Sequence, residues 1–177
     1  MNKFAVSAAT AALMLSLSTG ALAASGLGSV TSMSGSDAAA DKAGSVTVNT
    51  TMCAVELDDA GKITAVSFDI AQNKLGFDTA GALTTELTGE HPTKKELGDA
   101  YGMKAATSIG KEWYEQAGAL EDWCIGKTVE EVLAMPTYDK GDGHHTQVPD
   151  DVDLKSGCTI DVGGFLQALQ KAADNAK

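Results

Sequence analysis

Apolar and polar positions along the chain fall into distinct regimes. Phe4 to Leu17 is an almost unbroken apolar run, interrupted only by Ser and Thr. From Val46 the period is two: Val46, Val48, Thr50 and Met52 alternate, and the phase then slips to Val55 and Leu57. Such a slip predicts a β-bulge near Cys53. Asp58-Asp59-Ala60-Gly61-Lys62 is a turn, after which Thr64, Val66, Phe68 and Ile70 resume the alternation. The two runs predict an antiparallel hairpin. A second turn at Thr79-Ala80-Gly81, between Leu75–Phe77 and Leu83–Leu87, extends the sheet.

Beyond Gly89 the apolar spacing becomes helical. Thr93 stands three residues ahead of Glu96, a capping box that starts a helix running to Tyr101 and ending at Gly102. Ile109, Trp113, Ala117, Leu120 and Cys124 form a stripe that predicts a helix from Ile109, with Ser108 as its cap and Gly126 as its stop. Thr128 and Glu131 make a second capping box for a short helix ending before Pro136. Residues 137–157 read as loop, Cys158–Asp161 as a short strand. Gly164–Lys177 reads as a final helix turning Phe165, Leu169, Ala172 and Ala176 inward. Strands precede helices, which implies an α+β fold: a small antiparallel sheet built on the hairpin and packed against three to four helices.

The apolar run at the amino terminus follows Lys3 and ends at Ala21-Leu22-Ala23, a small-x-small cleavage pattern. Residues 1–23 therefore predict a secretory signal peptide cleaved after Ala23. Residues 24–45, rich in Ser, Gly and Ala, read as a flexible segment in which a short strand fits Ser29–Met33, and 46–177 as a single domain. No later stretch is apolar enough to span a membrane.

Charge narrows the choice of partner. The chain has 13 lysines, no arginine and 24 acidic residues. Losing Lys3 with the signal leaves 12 lysines against those 24, a net charge of −12. That sign repels nucleic-acid phosphates, and the guanidinium fork that reads them is missing. A small-molecule ligand or a redox partner protein is the expected partner. Cys53, Cys124 and Cys158 allow at most one internal disulfide. Cys124 and Cys158 both lie near element ends; alternatively, all three are small buried hydrophobes.

No complete catalytic motif is present, and independent catalysis is not expected. Gly26-Leu27-Gly28 opens like a dinucleotide fingerprint but carries Thr31 in place of the third glycine. Asp139, Asp142, His144 and His145 sit in a Gly-rich loop and offer oxygen and imidazole donors for a metal. The loop has Gly141 at the second ligand position of a calcium loop and no Glu at the twelfth, so a solvated acidic loop is the competing reading. Trp113 belongs to the helix stripe, whereas Trp123 falls one position off it, where an indole can stack on a planar ligand. Asn49-Thr50-Thr51 is a glycosylation sequon, but it lies inside a strand.

Two segments resemble the extracytoplasmic FMN-binding domains of bacterial flavoproteins. Ala54 to Val66 resembles that family's V-x-V-x-x-G-K-I-x-x-V hairpin, and Lys104-Ala105-Ala106-Thr107-Ser108 resembles its S-G-A-T element. The carboxy-terminal part is similar to exported proteins of anaerobic Gram-positive bacteria. The resemblance implies FMN as cofactor, with Thr107 aligned to the threonine that accepts flavin. Ala105 replaces the glycine that lets backbone approach the phosphate, which favours non-covalent binding. Thr107, Ser108 and the amides at Ile109 would then receive the phosphate, with charge from Lys104 and Lys111, and Trp123 as stacking wall. The expectation is an exported non-covalent FMN-binding electron carrier. The alternatives are a cofactor-free secreted or surface interaction module, or a metal-binding exported protein.

Overall fold

The computed structural model describes residues 23–177; apart from Ala23, the predicted export signal lies outside them. Strands β1 (Ala24–Ser36), β2 (Gly44–Leu57) and β3 (Ile63–Phe77) form an antiparallel meander in chain order. The hairpin turn closes as the sequence predicts: Asp58 Oδ1 accepts from the amides of Ala60 (2.9 Å) and Lys62 (2.8 Å), and Gly61 takes a left-handed φ of 73°. Helices α1 (Lys94–Leu97), α2 (Trp113–Cys124), α3 (Val129–Leu133) and α4 (Gly163–Asp174) follow, with a 3-10 turn at Gly98–Tyr101. A two-residue pair, β4 (Thr137–Tyr138) with β5 (Val148–Pro149), closes the base of the acidic loop. The architecture is α+β. Among the described residues no helix is long and apolar enough to cross a membrane.

Several expectations change. The first strand spans Ala24–Ser36, far beyond Ser29–Met33, because all thirteen residues pair with β2. Cys53 pairs with Phe68 in unbroken register, and the shift falls between Glu56 and Leu57 beside the turn. The apolar phase slip is a change of face: Val46, Val48, Thr50 and Met52 point away from the helices, whereas Thr51, Cys53 and Val55 are buried beneath them. The turn after Phe77 leads only to an isolated bridge between Phe77 and Leu83. Cys158–Asp161 is not a strand. Its neighbour is α2 rather than a sheet edge, and Gln116 Oε1 accepts from the Thr159 amide (2.9 Å).

The core lies between the sheet's inner face and helices α2 and α4. Phe165 packs on Phe68 (centroids 5.1 Å apart) and on Trp113 (5.8 Å). Gly26 and Gly28 lie on this inner face, and a Cβ on either would overlap the backbone of Ala172 or Ala168 in α4. The two glycines that look like a nucleotide fingerprint therefore make room for a helix. Cys53, Cys124 and Cys158 are all free and buried in this core, so the Cys124–Cys158 pairing is not formed. Burial pushes the Cys53 and Cys124 thiols up to about 12 and Cys158 up to about 11, which keeps them protonated and unreactive.

Candidate functional site

α4 begins at Gly163, so the inner face beyond Val30, Thr51 and Ile70 is left without a helix over it. A cleft of ≈ 470 Å³ opens there. Its floor is Ile70 and an amide pair in which Gln72 Nε2 donates to Asn49 Oδ1 (2.9 Å). Tyr101, Trp113 and Phe165 form an aromatic wall, with Lys94 above it. His144, His145 and Asp161 complete the lining. The volume falls within the roughly 300–1,000 Å³ of small-molecule sites, and an apolar wall facing a few polar groups is their usual composition. A broader hollow of ≈ 670 Å³ on the other sheet face, lined by Leu27, Ala54, Ala65 and Ser67, carries no aromatic or cationic side chain.

Two carboxylates hold the histidine rim. Asp161 Oδ2 accepts from the amides of Thr146 (2.8 Å) and Gln147 (2.9 Å), while its Oδ1 accepts from Gly163 (3.0 Å) at the start of α4. Asp142 Oδ1 accepts from the amides of His144 (2.9 Å) and His145 (2.8 Å), and its Oδ2 lies 2.6 Å from His145 Nδ1. The amide bonds, His144 first, hold the Asp142 carboxyl well below the ordinary carboxylate range. A folded value below the unfolded one means that this contribution is complete above about pH 4 and drains as pH falls through the lower folded value. Followed by NMR, Asp142 is expected to titrate below the usual aspartate range, with amide protection at His144 and His145 lost in the same window. A midpoint at or above about 4 would overturn this.

The same bonds take up several of the donors that the metal reading of this loop would use. Among the described residues no three His, Cys, Asp or Glu side chains come together as a metal site. Asp142 spends its oxygens on the loop, Asp139 Oδ1 accepts from the amide of Gly141 (2.7 Å), and His144 and His145 face the cleft.

The predicted cofactor residues lie outside the cleft lining. The helix expected at Ile109 starts at Trp113, because Gly110 turns left-handed (φ 62°) and Glu112 caps the helix in place of Ser108. Glu112 is buried, and its carboxylate accepts from the amides of Met103 (2.8 Å) and Lys104 (3.0 Å). Glu112 thus takes amides just before Thr107 and Ser108, and the Ile109 amide itself donates to Thr107 Oγ1 (3.5 Å). Thr107 Oγ1 accepts from Gln116 Nε2 (3.4 Å) and lies 3.5 Å from Thr159 Oγ1. Lys104 and Ser108 are exposed, and Lys111 is half-buried near Gly157. Trp123 donates its indole N–H to Asp151 (3.1 Å), and Lys127 covers its face at 4.1 Å. It is half-buried, and among the described residues no other aromatic ring packs against it. Trp113, read as core, is both core and cleft wall.

Sequence reasoning missed Lys94, Tyr101, Asn49 and Gln72 as cleft residues. The available signal was the Thr93 capping box, which places Lys94 in the first turn and Tyr101 two turns on.

No protein-family profile matches the chain, and no solved structure matches it. The chain is similar to a chlorophenol reductase of Desulfitobacterium hafniense, with 40% identity over 96 residues. That stretch covers 48% of this chain and 29% of the reductase, so the similarity concerns only a part of that protein.

Proposed function

We propose that this chain is an exported small-ligand-binding protein whose cleft holds the ring system of FMN non-covalently and which serves as an electron carrier. The observation that carries the reading is the cleft: a planar ring has the half-buried Tyr101 and Ile70 on its apolar side, backed by the buried Trp113 and Phe165, and the Asn49–Gln72 pair offers donors and acceptors at its edge. The ring fits these residues. Because α2 starts at Trp113 and Thr107 lies outside the cleft lining, recognition in this reading rests on the ring. Partial similarity to a protein named as a reductase supports a role in electron handling.

When bound, the flavin supplies the one- and two-electron chemistry. The chain's part is to bind and orient it: Tyr101 and Ile70 lie against the ring, and the histidine rim, pinned by Asp161, limits access of water. An absorbance spectrum of the protein purified from its native host tests the reading. A flavin doublet lost on denaturation and gel filtration is the expected result. A colourless protein that ignores added FMN overturns it, and a doublet that survives denaturation points to covalent attachment instead.

A further inference from the structure

Lys94 and Lys95 are adjacent in sequence and do different work. Lys95 Nζ pairs with Glu121 Oε1 (2.5 Å) and donates to Ser67 Oγ (3.0 Å), tying α1 to α2 and to β3. Lys94, fixed by that tether, turns into the cleft. Its Nζ stands 4.9 Å from the Tyr101 ring centroid and 5.3 Å from that of Trp113. Ion pairs among the described residues involve Lys95, His145 and Lys155, and none involves Lys94. Asp161, the one carboxylate among the cleft residues, spends both oxygens on three backbone amides. A half-buried ammonium in an acidic chain thus has aromatic faces beneath it and, among the described residues, no protein acceptor for its three N–H donors.

We propose that Lys94 is the residue that selects the cleft's ligand, which is a planar aromatic molecule carrying an oxyanion or a strongly accepting oxygen on its ring. This rests on the cleft being the ligand site. The ammonium supplies a charge-assisted hydrogen bond to that oxygen, while the apolar side of the cleft, Ile70 with the half-buried Tyr101, takes the ring. For a flavin the acceptor is the ring's own carbonyl edge, not the phosphate tail. A simple phenolate presents the same chemistry from a different source.

The test uses the chain from Ala24 to Lys177, as wild type, Lys94→Met and Lys94→Arg, with FMN, riboflavin and 4-nitrophenolate as ligands. Binding is read from tryptophan fluorescence, and near-UV circular dichroism confirms that each variant is folded. Lys94→Met is expected to weaken both flavins by roughly ten-fold, about 1.4 kcal/mol, with Lys94→Arg restoring most of the loss. Riboflavin is the deciding ligand because it lacks the phosphate. Affinities unchanged by Lys94→Met, or a loss confined to FMN, overturn the proposal. If wild type ignores both flavins but binds nitrophenolate through Lys94, the flavin reading fails and the selection by Lys94 stands. If it binds none of the three, both fall.

Discussion

Gly28→Ala is expected to destabilise the protein by about 3 kcal/mol or more, at the top of the usual range for overpacking a core. The added methyl would meet the carbonyl oxygen of Ala168 and the amide nitrogen of Ala172, both of them helix backbone that cannot swing aside. α4 cannot retreat as a body, because Phe165, Leu166 and Leu169 anchor it among Phe68, Trp113 and the rest of the core. For a domain of this size the loss corresponds to a drop in melting temperature of roughly 6–12 °C, measurable by circular dichroism. The effect is one of space alone, since Gly28 has ordinary strand backbone angles. Gly61→Ala meets open space and exchanges only turn conformation, so it should cost much less. A loss below about 1 kcal/mol at Gly28 would mean that α4 yields to the added methyl and that the close approach of helix and sheet is not what requires glycine.

Removing the Glu112 carboxylate is the other large change. Glu112→Ala loses two charge-assisted bonds, from Met103 and Lys104, together with the cap of α2. At about 1.5–3 kcal/mol for a bond to a charged group, with partial overlap between the two, the expected cost is roughly 3 kcal/mol. Glu112→Gln keeps an acceptor and should cost about half as much. Urea unfolding measures both. The functional consequence is separate: Met103 and Tyr101 stand on the segment that Glu112 holds, so ligand affinity should fall in the alanine variant under conditions where it is still folded. Unchanged affinity would mean that the aromatic wall keeps its place without this tether.

The parts of the fold that sequence foretold are those settled within a few residues. Asp58 and Gly61 specify their turn locally, and Thr93–Glu96 and Thr128–Glu131 each satisfy their own helix start. Errors came where a distant partner decides. The Ser, Gly and Ala of β1 look loop-like until α4, more than a hundred residues later, requires Gly26 and Gly28 to be bare. Ser108 looked like a cap because nothing local reveals that Glu112 also binds backward to Met103 and Lys104. The cleft was the least legible feature. It gathers Asn49, Gln72, Lys94, Tyr101, Trp113, His145 and Phe165 from six separate segments, and no spacing rule connects them. The chemistry of His144 and His145 is legible in sequence, but only the amide bonds that Asp161 and Asp142 accept show which way their loop faces.

The far end of α4 carries a different implication. The amide of Ser25 donates to the carbonyl of Lys177, and the amide of Lys177 donates to the carbonyl of Ser25, each at 3.3 Å. Asn175 Nδ2 and Lys171 Nζ continue the seam by donating to the carbonyls of Leu27 and Ser29. Position 25 and position 177 therefore leave the domain side by side, and a few residues would suffice to bridge them. A unit with such adjoining exits can be spliced into a surface loop of a larger polypeptide without forcing the host's flanks apart, or reopened at the Asp58–Lys62 turn as a circular permutant.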